Sequence, residues 1–368
     1  MSHTASTRRR LTVGSLARVS VAYLAAYALA APGARPSARA AAAGARAHKT
    51  ISTEKVAMIP ARPLINLKID IEYCQYDVYV NGGLVTRNME GNPAHEDQPI
   101  NHWLRSGANE IEVLMYLATD EPDTCEIKVA LMIKDADNEQ APATTALVLA
   151  RSAKAAGVDP VAGSTPAGVF DSRRGFHATA DKGDFKVGPA ELVHLPTHRD
   201  PLDVLKRTFD VHLPFPDWAF FKGEKMKQGW EYKTKDELKV GHAEVLAAYQ
   251  SVWTLLEKHD VDGFVAACDE RSREMDLAYY KSSGETRTRL RHELESAQKD
   301  TTLTLAPVAL PPGKFWRYTV GSKGNLIALT QGSRGSPIFR YEAHDGAAYA
   351  LGFPVVFRKQ GAHYIVTR

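Results

Sequence analysis

Ile100-Asn-His-Trp-Leu-Arg-Ser-Gly-Ala-Asn-Glu-Ile-Glu-Val113, taken with Asp77-Val-Tyr-Val-Asn-Gly-Gly83, decides the architecture of the first half of the chain. Each stretch joins an alternating apolar run to a turn. Asn81-Gly82-Gly83 follows one strand and supplies the positive φ that a tight hairpin wants, and Ser106-Gly107-Ala108-Asn109 does the same before residues 110–117. Working outward, period-two alternation or short apolar runs recur at Leu64–Ile71, Tyr76–Val80, Ile111–Leu117, Glu126–Ile133 and Thr144–Leu149. A β-rich region is therefore predicted from about residue 54 to 150. Residues 151–200 are rich in Gly, Pro, Ala and Ser, yet Gly168–Phe176 and Asp184–Val187 read as further strands of the same sandwich. Thr208–Phe221 closes it as an extended apolar stretch, with Pro214 and Pro216 suited to an edge.

After the polar stretch Gly223–Lys235 the period changes from two to about 3.6. Leu238, Val245, Tyr249, Val252, Trp253 and Leu256 share one face of a helix over about 236–257, and Asp262-Gly263 separates it from a second helix carrying Phe264, Val265, Cys268 and Met275. A charged third helix is predicted over Glu285–Gln298. Strands alone follow, at Leu303–Leu305, Phe315–Val320, Leu326–Gln331, Ile338–Glu342, Tyr349–Arg358 and His363–Val366.

The paired patterns "xVxVNG" and "L-x-x-G-x-N-x-I-x-V", here Asp77–Gly83 and Leu104–Val113, resemble the jelly-roll, carbohydrate-binding-like domains that accompany many secreted enzymes. The order helix, short helix, helix and curled antiparallel sheet is similar to that of NTF2-like, cone-shaped α+β domains. Val245–Phe264 and the closing Gly361-x-His-Tyr-Ile-Val366 carry that likeness. The whole resembles uncharacterised exported bacterial proteins. The resemblance implies a jelly-roll-like β-sandwich at 50–230 followed by an NTF2-like α+β domain at 235–368.

The 368 residues carry a formal charge of +3, unevenly placed. Residues 1–50 hold eight Arg or Lys and no acid, residues 51–150 sixteen acids against seven bases, and residues 151–368 31 bases against 27 acids. Nucleic-acid binding is not expected, because the chain beyond residue 50 lacks the clustered cations a phosphate surface needs. Arg8-Arg9-Arg10, the 13-residue apolar run Val19–Ala31 and small residues through Ala47 have the order of an export signal. The run is short of the ~20 residues of a permanent span, so cleavage near residue 47 and a periplasmic or secreted location are expected, by the general rather than the twin-arginine route. In that compartment Cys74 and Cys125, both in strand-like segments, are expected to form a disulfide, and Cys268 to be a buried inert thiol.

Gly-x-Ser-x-Gly, a phosphate loop, Cys-x-x-Cys and His-Glu-x-x-His are all absent from the sequence, so no catalytic residue, cofactor or metal is assigned. His194 and His198 have zinc-like spacing, but Pro196 between them argues for a loop. Asp135-Ala-Asp137-Asn-Glu139 lacks the turn glycine of a helix-loop-helix calcium site. Within an NTF2-like cone the pocket candidates are Trp253, Asp262, Tyr279 and Trp316. Asp120, Glu121 and Asp123, with Asp135, Asp137 and Glu139, are candidates for a negative surface steering a basic protein partner. The expected function is therefore non-enzymatic periplasmic binding, with an inhibitory or immunity-type role against a secreted effector as a special case. The alternative is a cell-wall glycan or small-molecule binder, or an enzyme using the cone, for which Trp103 or Trp218 would have to be exposed sugar platforms.

Overall fold

Alternation along Pro63–Glu72 (β1) becomes a half-buried strand: Ile65, Leu67, Ile69 and Ile71 point inward, while the residues between them keep contact with solvent. The structure is a computed structural model that describes residues 59–116, 125–151, 161–171, 175–177, 185–195, 202–227, 233–306, 316–321, 323–331, 336–344 and 349–368. β1 joins Ala94–Pro99 (β4), Glu126–Asp135 (β6) and Thr144–Arg151 (β7) in an antiparallel sheet of order β4-β1-β6-β7. A second sheet contains Gln75–Val80 (β2), Gly83–Asn88 (β3), Gly107–Tyr116 (β5), Gly168–Asp171 (β8), Gly175–His177 (β9), Phe185–Leu195 (β10) and Leu202–Val211 (β11), in the order β3-β2-β5-β11-β10-β8-β9. Leu67 and Ile69 of the first sheet share one core with Tyr76, Val78, Val113 and Leu205 of the second, so the two sheets pack as a sandwich.

The β2–β3 hairpin pairs Val80 with Gly83, with Asn81 and Gly82 at φ 51° and 85°, as the Asn-Gly signal predicts. β2 departs from simple alternation because both of its faces are covered. Val78 and Val80 enter the sandwich core, while Asp77 is buried in a polar cluster reaching Thr319 and Thr330 of the later sheet.

Four helices among the described residues follow: Lys235–Glu257 (α1), Val261–Ala267 (α2), Asp269–Ala278 (α3) and Glu285–Lys299 (α4). The Thr234 hydroxyl caps α1 by accepting from the Glu237 amide, and the Asp260 carboxylate caps α2 by accepting from the Gly263 amide. The remaining strands are Leu303–Leu305 (β12), Trp316–Val320 (β13), Ile327–Gln331 (β14), Ser336–Pro337 (β15), Phe339–Ala343 (β16), Tyr349–Phe353 (β17), Val356–Gln360 (β18) and His363–Val366 (β19). They form the sheets β12-β16-β17 and β13-β14-β18-β19, with β15 on β14. Tyr249, Phe264, Leu290, Leu294, Phe339 and Phe357 join helices and strands in a second core. A β-rich region thus precedes an α+β region, and none of the described helices is long and apolar enough to cross a membrane.

Several elements differ from expectation. The predicted strand Tyr349–Arg358 is two strands, interrupted at Pro354, which has no N–H for a ladder. The predicted second helix breaks at Cys268 into α2 and α3. The extended stretch Thr208–Phe221 ends as a strand at Val211, and β11 lies inside the seven-stranded sheet, leaving Pro214 and Pro216 in irregular chain after it. β3 and β4, Gly-Leu-Val-Thr-Arg-Asn and Ala-His-Glu-Asp-Gln-Pro, have too few apolar residues for period two to reveal them.

Candidate functional site

The expected disulfide is present: Cys74 and Cys125 are bonded, with 5.2 Å between their Cα atoms. Cys74 lies where the chain crosses from β1 in one sheet to β2 in the other, and Cys125 directly precedes β6. Just before Cys74, Tyr73 adopts φ 58° and leaves 63% of its surface exposed. A bulky residue in the left-handed region is costly and persists only where its surroundings enforce it. Glu72 and Glu126 stand directly opposite one another at this end of the β1–β6 ladder, a like-charge pairing that weakens a sheet. An exposed aromatic, a like-charged pair and a covalent staple therefore meet at one end of the sandwich. Sequence pattern held no sign of Tyr73, Glu72 or Glu126 as a group, because their proximity depends on register.

The acidic candidates divide. Asp120, Glu121 and Asp123 fall in 117–124, outside the described residues, as do the leader at 1–47 and His198. Asp135 pairs with Pro63 at the other end of the ladder that Glu126 begins, about 30 Å away at the usual rise per residue. There the Asp135 carboxylate accepts from the Asp137 amide, and Asp137 takes the Arg62 guanidinium at 2.5 Å, while Glu139 is exposed.

The described contacts place three of the four pocket candidates, while the side chain of Trp316 lies outside what is described. Trp253 packs half-buried against the second core, its indole N–H 3.4 Å from the Ala306 carbonyl. Asp262 is exposed in the first turn of α2 and pairs with Arg291 of α4 at 2.5 Å. Tyr279 caps the end of α3 and packs against the first core, its hydroxyl 2.7 Å from Nδ1 of His102. Trp316 opens β13 opposite Gln331. Burial pushes the Cys268 thiol up to about 11, as suits an inert cysteine. Among the described residues no group of three or more His, Cys, Asp or Glu could hold a metal ion. His194 lies on β10 with Nδ1 2.5 Å from the carboxylate of its cross-strand partner Asp203. Neither candidate sugar platform is available, since Trp218 is fully buried and Trp103 retains only 6% exposure.

The motif at 100–113 does more than turn the chain. The Asn101 amide nitrogen donates to the carbonyls of Pro63 and Ala278, and its oxygen accepts from the Ile65 amide. Trp103 packs so closely on Gly83 that a Cβ there would strike the indole ring. The Trp218 indole donates to the Leu104 carbonyl at 2.5 Å. Arg368 inserts behind these rings, its guanidinium 4.6 Å from the Phe220 centroid, and donates to the His102 carbonyl and to Glu274. Asp77 accepts from Arg87 at 2.6 and 2.7 Å and from the hydroxyls of Tyr79 and Tyr116, while Arg87 also reaches Thr319 at 3.0 Å. These polar contacts join the sandwich to the later helices and sheet. No family model, curated protein or solved structure matches the chain.

Proposed function

We propose that this chain is an exported, non-enzymatic binding protein of the periplasm, acting on a protein partner as an inhibitor or immunity-type factor against a secreted effector. The observation that carries the proposal is Tyr73, exposed, held at positive φ and adjacent to the Cys74–Cys125 staple, with Glu72 and Glu126 beside it. A rigid aromatic ringed by charge is the usual composition of an interface anchor, since it buries large area at small entropic cost while the charges steer encounter. Asp120, Glu121 and Asp123 precede Cys125 in the chain and add to the acidity of that segment. The Arg8–Ala47 leader supports export, and the disulfide is compatible with an oxidising compartment. Within this proposal the first sheet pair is jelly-roll-like, at 50–230, and the helices with their sheets are NTF2-like, at 235–368.

The test is light cross-linking and capture of the tagged mature protein in its own periplasm, read by mass spectrometry. A single stoichiometric protein partner is expected, lost in Tyr73→Ala and in a variant neutralised at Asp120, Glu121 and Asp123, with association slowing as salt rises. Recovery of glycan fragments or a small molecule instead, or a partner retained by both variants, would overturn the proposal.

A further inference from the structure

Asn81-Gly82 is the one Asn-Gly pair in the sequence. Asparagine before glycine is the arrangement most prone to spontaneous loss of the side-chain amide, because glycine has no Cβ to obstruct attack of its own nitrogen on the neighbouring Cγ. The tip of a hairpin is ordinarily its most exposed part, yet Asn81, Gly82 and Gly83 are all buried. Gly321 and Lys323, between β13 and β14, cover one side: a Cβ on Gly321 would strike the Gly82 carbonyl, and a Cβ on Gly82 would stand 3.1 Å from Lys323. Trp103 covers Gly83 on the other. The Asn81 amide is also fully committed. Its oxygen accepts from the Glu110 amide at 3.0 Å, and its nitrogen donates to the Trp103 carbonyl at 2.7 Å and to Oδ1 of Asn109 at 2.8 Å. Asn109 is fixed in turn, since its oxygen accepts from the Arg105 amide and its nitrogen donates to the carbonyls of Arg105 and Gly107.

We propose that Asn81 is a latent modification site, closed by the docking of Gly321 and Lys323 on the β2–β3 turn, and that its deamidation makes prolonged unfolding irreversible. In an opened chain the Gly82 nitrogen loses its proton and attacks Cγ of Asn81. The new N–C bond closes a cyclic imide, the Cγ–Nδ2 bond breaks, and the side-chain nitrogen takes up the proton and leaves as ammonia. Water then opens the imide. Cleavage between Cγ and the Gly82 nitrogen leaves an aspartate at position 81, and cleavage of the main-chain bond leaves an isoaspartate; water is the only other reactant. Neither product fits the folded turn. A carboxylate has no hydrogen to donate, so it would face the Trp103 carbonyl and Oδ1 of Asn109 as acceptor against acceptors, with a buried charge added. An isoaspartate adds an atom to the main chain inside a turn already closed on both sides. The site involves neither Tyr73 nor a partner, so it stands or falls apart from the proposed binding role.

The experiment holds the full mature protein, disulfide intact, at one near-neutral pH across a series of urea concentrations. Mass spectrometry of the peptide bearing Asn81 reads the replacement of NH2 by OH. The modification is expected to run at least about tenfold faster in unfolding urea than in buffer, since in the native protein it must wait for an opening. Below the transition its rate should climb with urea as steeply as global unfolding does, because two regions cover the turn. A smaller difference, or a rate that ignores urea below the transition, would show that local fraying exposes Asn81 and would overturn the shielding. On removal of urea after a long hold, modified chains should be depleted at least about tenfold from the refolded, protease-resistant fraction. Equal amounts in the folded and unfolded fractions would overturn the irreversible step. Asn81→Gly, which accepts φ 51° and cannot form the imide, is expected to keep its refolding yield through the same hold, and a yield that decays as in the wild type would mean that another lesion is responsible. If that variant does not fold, the wild-type fractions decide alone.

Discussion

The Asn101 side-chain amide donates to the Ala278 carbonyl at 2.7 Å, tying a turn of the sandwich to the end of α3 across 177 residues of chain. The same side chain satisfies Pro63 and Ile65, so one buried residue completes three backbone groups, two on β1 and one at the end of α3. Its value lies in what its loss would orphan, because a buried backbone group without a partner forfeits its hydration and gains nothing in return.

Asn101→Ala is accordingly expected to destabilise the protein by about 3 kcal/mol or more, since each stranded buried group costs roughly 1–3 kcal/mol. Asn101→Asp should be nearly as harmful, because a carboxylate accepts from Ile65 but cannot donate to Pro63 or Ala278. Urea unfolding of the three proteins checks both, and a loss below about 1 kcal/mol in Asn101→Ala would mean that water replaces the amide.

Asp77 and Arg87 form a buried pair whose members are worth little alone. Removing only the acid, in Asp77→Ala, leaves a buried guanidinium and should cost about 3–5 kcal/mol. The double variant Asp77→Ala with Arg87→Met should recover a substantial part of that loss. A double-mutant cycle by chemical denaturation measures the coupling, and additive losses would show that the pair does not act as a unit.

Two glycines separate crowding from backbone strain. Gly83 carries no positive φ, but a Cβ there meets the Trp103 ring, so Gly83→Ala should cost about 1–3 kcal/mol by overpacking. Gly107 sits at φ 91° in open space, so Gly107→Ala should cost about 1 kcal/mol through strain alone. Thermal unfolding compares them. Restoration of stability by Trp103→Leu in the Gly83 variant, but not in the Gly107 variant, is the expected signature.

His102 makes stability depend on mild acid. Its folded-state affinity for protons is depressed, so below about pH 6.5 the unfolded imidazole binds a proton that the folded one refuses. Stability is fully present above that pH and falls below it, by up to about 1.4 kcal/mol per pH unit for this one group, until the folded ring also titrates. Burial depresses His242 in the same direction. His102→Gln should therefore flatten the slope between about pH 6.5 and 5 without abolishing it. An unchanged slope would show that the ring is not held neutral in the folded protein.

Sequence alone determined the local features of this protein. Alternation located β1, β2, β5, β6 and β7 because side chains on a strand must divide between two faces, and the 3.6-residue period located α1 and α4 because a helix buries one stripe. Asn81-Gly82 announced a hairpin because few residues accept positive φ, and Cys74 and Cys125 announced their bond through their types and strand-like settings. Tertiary structure decided everything that depends on register or docking. It put Asp135 about 30 Å along the ladder from Glu126, gathered Tyr73, Glu72 and the disulfide at one end, and buried Trp103 and Trp218. It also turned Asn101 and His102, read as parts of a turn motif, into the seam that receives α3. Period and turn chemistry are set by neighbours a few residues away, whereas these groupings come from contacts between segments as much as 266 residues apart, such as Arg368 on the His102 carbonyl, and no local pattern encodes them.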